Sequence, residues 1–225
     1  MKMADLINGN PYLLLMLQHF NIDFRISDRT VSQLCTQYNI SEQLFVSIAN
    51  LYNGSGIREG QPFSRKDLLQ VIDFLKTTHN YYRFDKYPQI STYILQLQEN
   101  HPEKELVLLE KFFNEYFSEV REHLDYEDEV AFPYFIALLG STRFDDKLEV
   151  YSSSEYSEHH TDIELKLKDL KNLLLKYIKI DNDLDLRRKL FMSLYELEFD
   201  LYIHSLIEET ILIPSGLDIE KQRNE

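Results

Sequence analysis

The fold is indicated by two segments that repeat one pattern: REHLDYEDEVAFP at residues 121–133 and YIHSLIEETILIP at residues 202–214. In each segment a histidine is followed four residues later by a glutamate and then by a proline; the residues are His123, Glu127 and Pro133, and His204, Glu208 and Pro214. A lone histidine precedes each segment, His79 before the first and His159 before the second. Residues four apart share one face of a helix, so the repeat predicts helices with polar pairs at matching places.

Apolar residues at helical spacing place these polar residues on the buried faces of the predicted helices. His79, His123 and Glu127 each fall within such a stripe. His159 leads a stripe through Ile163 and Leu167, whereas His160 aligns with Glu164 and Lys171, so we expect His159 to face inward and His160 outward. The stripe of the last helix contains Leu190, Leu194, Leu197, Leu201, His204, Glu208 and Ile211.

The chain is predicted to be all-α, with an antiparallel up-and-down four-helix bundle over residues 64–216, because four long amphipathic segments follow one another with short connections. Residues 1–53 predict a small helical N-terminal domain, residues 54–63 a glycine-rich linker, and residues 217–225 a C-terminal tail.

Helix boundary signals support these divisions. Asp28, Ser41 and Ser64 are predicted N-caps, and Asp67 completes a capping box with Ser64. The other three signals are a kink near Pro88, a left-handed helix end at Gly140 and a helix end at Pro214.

Composition argues against several classes of function. The formal net charge is -14 and the pI is near 4.9, so nucleic-acid binding is not expected, because it depends on basic residues that neutralise phosphates. The single cysteine excludes an internal disulfide. The longest apolar run, at residues 12–17, is too short to span a bilayer, and no signal-peptide pattern begins the chain, so we expect a cytoplasmic protein that does not contact membranes.

Six inward polar residues predict a metal site: His79, His123, Glu127, His159, His204 and Glu208. Burying carboxylates without a counter-charge costs several kcal/mol per ion, and no lysine or arginine lies on these stripes. Two transition-metal ions would supply the missing charge, although His and carboxylate ligands alone do not select the metal. Tyr81 and Tyr82 are candidates to line the pocket, and His101 is expected to serve as a capping or surface residue.

The motifs resemble hemerythrin-like di-iron proteins, specifically the repair-of-iron-centres branch, which is also described as regulators of cell morphogenesis and nitric oxide signalling. The matching segments span roughly residues 65–215: FLKTTHNYYR around His79, REHLDYEDEVAFPYF around His123, SEHHTDIE around His159, and LYIHSLIEETILIP around His204. Oxygen-carrying hemerythrins have a further histidine on the third helix and an aspartate on the last, and neither pattern is found here.

The resemblance implies that the four histidines are terminal ligands and that Glu127 and Glu208 bridge two irons. With an oxo or hydroxo bridge, one coordination position would stay open on each iron for dioxygen, nitric oxide or peroxide. The implied function is repair or protection of iron-sulfur centres under nitrosative or oxidative stress, with iron-sulfur proteins as partners. A sensor for dioxygen or nitric oxide, iron storage, and zinc or manganese binding are the alternatives, and whether the protein is an enzyme is left open.

The N-terminal module is similar to the short helical domain that precedes the bundle in this family, through LQHFNIDF at residues 17–24 and SQLCTQYNIS at residues 32–41. Where the family has an adjacent cysteine pair after the first stretch, this chain has Arg25 and Ile26. Cys35 does not occupy that position. Functions that require paired thiols are therefore not predicted for this module.

Overall fold

The computed structural model describes residues 1–57, 62–102, 104–140, 151–158, 163–176, 178 and 182–224. Over these residues the regular structure is helical, and the only β-type pairing in this part of the chain is an isolated bridge between Lys2 and Thr30. The all-α prediction is therefore confirmed for the described residues.

The N-terminal region forms four short helices: α1 (Met3–Gly9), α2 (Leu13–His19), α3 (Val31–Tyr38) and α4 (Glu42–Tyr52). Ser41 caps α4 as predicted, because its side chain accepts a hydrogen bond from the Leu44 N–H at 3.1 Å. The prediction of Asp28 as an N-cap is wrong. Thr30 caps α3 instead, since Thr30 and Gln33 exchange backbone and side-chain hydrogen bonds in a capping box that satisfies two helix-terminal donors.

The rest of the described chain is also helical, and π-helical segments join three pairs of its helices. The elements are α5 (Arg65–Tyr81), π1 (Tyr82–Lys86), α6 (Tyr87–Asn100), α7 (Lys104–Tyr126), π2 (Glu127–Ala131), α8 (Phe132–Leu139), α9 (Ser153–Glu158), α10 (Ile163–Lys176), α11 (Leu184–Ile207), π3 (Glu208–Leu212) and α12 (Ile213–Asn224). Among these described helices, none combines the length and the apolar character needed to cross a lipid bilayer.

A proline accompanies each π-helical segment. Pro88, Pro133 and Pro214 each occupy the second position of the α-helix that follows the segment. In a regular α-helix a proline removes one hydrogen bond and clashes with the carbonyl four residues earlier, whereas a π turn changes that hydrogen-bond register. The expected end at Pro214 is therefore wrong: the helix passes through π3 and continues as α12 to Asn224.

The ends of the long helices show one confirmed prediction and one error. Ser64 and Asp67 form the predicted cap, with the Asp67 N–H donating to Ser64 Oγ at 3.2 Å and the Ser64 N–H to Asp67 Oδ2 at 2.9 Å. Gly140 ends α8 but has φ of -77°, so it is not left-handed. Arg65 and Arg223 donate to the last carbonyls of α8 instead, at 2.7 to 3.2 Å, which removes the need for a left-handed cap.

The chain divides into two compact units. The first comprises Met1–Thr78, Ala131–His159 and Ile203–Glu225, and the second comprises His79–Val130 and His160–Tyr202. The first unit buries large apolar side chains, among them Phe45, Phe74, Phe132 and Phe135, and the second buries Tyr82, Ile94, Leu109, Phe113 and Leu197. Burial of side chains of this size stabilises each core by about 1.5–3 kcal/mol per residue.

Candidate metal centre

In the second unit, two histidines flank one buried glutamate. His79 comes from α5 and His123 from α7, and Glu127 is the first residue of π2. His79 Nε2 lies 3.0 Å from Glu127 Oε2, and His123 Nε2 lies 2.9 Å from Glu127 Oε1. Each carboxylate oxygen therefore has its own imidazole nitrogen, which is the arrangement that a bridging carboxylate between two metal ions requires.

The far side of the His79 ring contacts an aspartate. His79 Nδ1 lies 3.0 Å from Asp128 Oδ1, and Arg83 donates to Asp128 Oδ2 at 2.8 Å and to Asp125 Oδ1 at 2.7 Å. Burial acts to raise the pKa of Asp128, but the hydrogen bonds and charges of His79 and Arg83 outweigh it and the pKa is lowered. Asp128 is therefore ionised near neutral pH, and its Oδ1 faces His79 Nδ1.

This contact bears on whether Nε2 of His79 faces Glu127 with a proton or with a lone pair. In a neutral ring with its proton on Nδ1, Nε2 carries a lone pair, and two lone-pair atoms 3.0 Å apart repel unless a proton or a cation lies between them. Two ligand atoms each about 2.1 Å from a metal and at right angles to one another are about 3.0 Å apart. The His79 and Glu127 ligand atoms thus have the separation that one metal ion requires.

In the first unit, a second buried pair consists of His204 from α11 and Glu208, the first residue of π3. His204 is 3% exposed and Glu208 is fully buried, so neither relies on solvent for its polar contacts. His204 Nε2 lies 3.2 Å from Glu208 Oε1. This separation also fits two neighbouring ligands of one metal ion.

The hydrogen bonds of the Thr78 hydroxyl show that Nδ1 of His204 carries a proton. The Thr78 hydroxyl lies 2.7 Å from the Leu75 carbonyl oxygen and 2.6 Å from His204 Nδ1. A carbonyl oxygen only accepts, so the single hydroxyl proton goes to Leu75 and the Thr78 oxygen accepts from His204 Nδ1–H. In the neutral ring, His204 Nε2 is then unprotonated and directed at a carboxylate, as a metal-binding imidazole is.

Glu208 has a further partner from α9. The Tyr156 side chain is fully buried and its hydroxyl donates a short hydrogen bond to Glu208 Oε1. A neutral donor on a carboxylate holds that oxygen in place without removing its charge. Each unit therefore contains a histidine and a glutamate of the predicted set together with side chains that orient them.

The other predicted residues have simpler positions. His159 and His160 lie outside the described residues. Tyr81 is buried and its hydroxyl donates to Glu196 at 2.5 Å, and burial, followed by this bond, raises its pKa. His101 ends α6 and contacts Asp183 Oδ2 at 2.8 Å, in agreement with a capping role.

Sequence reasoning missed four residues that support the predicted ligands: Asp128, Arg83, Thr78 and Tyr156. One signal was available, since both glutamates lie six residues before a proline that marks a π-helical segment. π-helical turns occur frequently at functional sites.

The described residues of both pairs suit a transition metal, because neutral imidazoles and carboxylates are ligands for iron, zinc and manganese. Comparison with known proteins adds no family assignment: no family model matches the chain, and a search of curated proteins found no similar sequence.

Proposed function

We propose that this chain is a non-haem di-iron protein with a hemerythrin-like four-helix bundle. In this proposal His79, His123, Glu127, His159, His204 and Glu208 bind two iron ions, with an oxo or hydroxo bridge between them. The observation that carries it is the repeated buried pair of a histidine and a glutamate. In His79 and in His204, a separate side chain engages Nδ1, so that Nε2 is directed at the glutamate.

When bound, two irons with an open coordination position each would supply redox chemistry towards dioxygen, nitric oxide or peroxide. The protein's own contribution is to hold its ligands in one protonation state. Asp128 and Thr78 lie against Nδ1 of His79 and of His204, and Tyr156 donates to Glu208. Burial of His79, Glu127, His204 and Glu208 excludes bulk water from these atoms.

The biological role that we propose is repair or protection of iron-sulfur centres under nitrosative or oxidative stress. It rests on the resemblance of the four motifs to the repair-of-iron-centres branch. Partners under this proposal are the small molecules that damage such centres and the iron-sulfur proteins themselves.

Metal content tests the di-iron part of the proposal. Protein purified from iron-supplied cells is expected to contain about two irons per chain and to show the near-ultraviolet absorption of an oxo-bridged pair. Glu208→Ala is expected to lose that iron, because it removes a bridging ligand. His101→Ala, which changes a histidine at a helix end, serves as the matched control and should retain it. Equal iron content in both variants would refute the ligand assignment.

A repair assay tests the biological role separately. An iron-sulfur hydratase that has been inactivated with nitric oxide is incubated with the iron-loaded protein, and recovery of its activity is followed. We expect faster recovery with the parent chain than with Glu208→Ala. Two irons per chain without any recovery would leave the di-iron site intact and contradict the repair role.

A sensor is the second candidate, and the N-terminal region favours it. Arg25 and Ile26 stand where the family has its cysteine pair, and Cys35 is buried. Burial, followed by the charge of Glu42, raises the pKa of Cys35 to about 11, so this thiol is protonated near neutral pH and is a poor nucleophile. Reversible binding of nitric oxide without turnover would support the sensor, whereas catalytic consumption of nitric oxide or peroxide would support an enzyme.

A further inference from the structure

Helix α12, which begins beyond the predicted end of the last helix at Pro214, makes specific polar contacts within the first unit. One oxygen of Glu220 accepts three hydrogen bonds: from the Ser153 N–H at 2.8 Å, from Ser153 Oγ at 2.6 Å and from the Tyr134 hydroxyl at 2.5 Å. Ser153 is the first residue of α9 and is fully buried. Glu220 thus satisfies a backbone donor at the start of α9 that the helix itself leaves unpaired.

Close packing fixes the same two helices together. A β-carbon added at Gly216 would lie 2.3 Å from Ser153 Oγ and 2.5 Å from Phe135 Cε1. Both distances are far below van der Waals contact, so any larger residue at this position would force the Ser153 or Phe135 side chain to move. Gly216 therefore lets α12 approach α9 closely enough for Glu220 to reach Ser153.

A third contact fixes α12 to the end of α8. Arg223 donates to the carbonyl oxygens of Leu138 and Gly140 at 2.7 and 2.9 Å. Charge-assisted bonds of this kind are stronger than neutral ones, and here they also satisfy carbonyls that the helix end exposes. Helix α12 is therefore attached at three points along its length, and two of them, Glu220 and Arg223, lie in the segment predicted as a tail.

Helix α9 connects these contacts of α12 to Glu208. Tyr156 lies one turn after Ser153, its ring packs edge-on against Phe135 with centroids 5.6 Å apart, and its hydroxyl donates to Glu208. The chain of contacts thus runs from Glu220 to Ser153, along one turn of α9 to Tyr156, and then to Glu208.

We propose that α12 is a brace that positions the Tyr156 hydroxyl on Glu208 and thereby controls how firmly Glu208 holds metal. Tyr156 is a positioning residue in this scheme, since it acts through Glu208. The metal part of this inference rests on the proposed function, whereas the brace is a property of the polypeptide. Loss of partners that orient a metal ligand typically lowers metal affinity about 10- to 100-fold.

The test compares three variants in the full chain. Glu220→Ala removes the brace contact, Tyr156→Phe removes only the hydroxyl, and Asp218→Ala changes an exposed carboxylate on the same helix as the matched control. Three quantities are measured: hydrogen exchange of amides 153–158, the NMR signal of the Tyr156 ring carbon that bears the hydroxyl, and the rate of iron release to a chelator. The loss of that NMR signal in Tyr156→Phe assigns it.

We expect Glu220→Ala to accelerate amide exchange, shift the Tyr156 signal towards that of a free tyrosine and raise iron release about 10-fold or more. Tyr156→Phe should raise iron release while leaving amide exchange near the parent value, and Asp218→Ala should match the parent throughout. Unchanged exchange and an unchanged Tyr156 signal in Glu220→Ala would overturn the brace. Unchanged iron release in Tyr156→Phe would overturn the positioning role.

The NMR and exchange measurements also separate this inference from the proposed function. If the parent chain binds no iron, the di-iron proposal fails, and control of metal binding by the brace fails with it. The Tyr156 signal of metal-free Glu220→Ala still decides whether α12 positions that hydroxyl.

Discussion

The two histidine and glutamate pairs have the same side-chain types, but different residues contact them. In the second unit, His79 Nδ1 faces Asp128, a carboxylate that Arg83 also holds. In the first unit, His204 Nδ1 faces the neutral hydroxyl of Thr78. An anion behind an imidazole makes it a stronger electron donor, and a hydroxyl does so less, so we expect the two histidines to bind a metal ion with unequal strength.

The side chains that contact the two glutamates also differ. Two imidazoles flank Glu127 within the second unit, whereas Glu208 has the His204 imidazole and a tyrosine hydroxyl. The two pairs thus share side-chain types, while the residues around them differ; if the pairs bind metal as proposed, these neighbours would set how strongly each pair binds it. Variants of the supporting residues are therefore the way to test the difference.

The largest effect is expected from Asp128→Asn. The amide oxygen can still face His79 Nδ1, whereas the negative charge and the hydrogen bond that Asp128 Oδ2 accepts from Arg83 are lost. We expect metal affinity to fall about 10- to 100-fold, measured by competition with a chelator. Glu129→Gln, at an exposed neighbouring position, removes the same charge and is expected to bind metal like the parent. Equal affinity in the two variants would show that Asp128 does not tune His79.

A smaller effect on metal binding is expected from Thr78→Val. This change removes a neutral acceptor and leaves the His204 Nδ1–H buried without it, which costs about 1–3 kcal/mol in the free energy of unfolding. Metal affinity should fall towards the lower end of the range expected for Asp128→Asn. Denaturant unfolding of the metal-free protein measures the first quantity and chelator competition the second.

Two further variants control this experiment. Thr77→Val removes the neighbouring hydroxyl, which bonds the Asp73 carbonyl, and should leave His204 unaffected. Thr78→Ser should restore the parent behaviour because it keeps the oxygen. A larger loss of metal affinity in Thr78→Val than in Asp128→Asn would reverse the proposed difference between the pairs.

The smallest effect is a pH dependence of stability that comes from Asp128. The pKa of Asp128 is lowered in the folded protein from its usual value of 3.8. Its contribution to stability is therefore complete above that value and is lost as the pH falls through the lower, folded pKa. In metal-free protein, Asp128→Asn should flatten the acid side of the plot of unfolding free energy against pH. Thr78→Val should leave that slope unchanged, and a flattened slope there would contradict the assignment.

Local sequence signals predicted helix ends correctly where the interacting residues belong to one helix end. Ser41, and Ser64 with Asp67, form their predicted caps, because a cap depends on residues three apart in the chain. The errors arose where distant residues compete. Arg223, far along the chain, donates to the carbonyls of Leu138 and Gly140, so Gly140 has no need of a left-handed conformation.

The same contrast between local and distant contacts holds for the candidate site. A histidine and a glutamate four apart on one helix must lie close together, so the approach of His204 to Glu208 was predictable. The supporting residues were not, because Thr78 and Tyr156 are ordinary helical residues until tertiary packing brings them to His204 and Glu208. The assignment of all six ligands to iron stays a prediction.

The most direct test of the central claim is Mössbauer spectroscopy of the full chain loaded with isotopically enriched iron. We expect about two irons per chain, magnetically coupled, in two quadrupole doublets of equal area that differ because the two pairs have different neighbouring side chains. A spectrum of uncoupled, mononuclear iron, or the absence of stoichiometric iron, would contradict it.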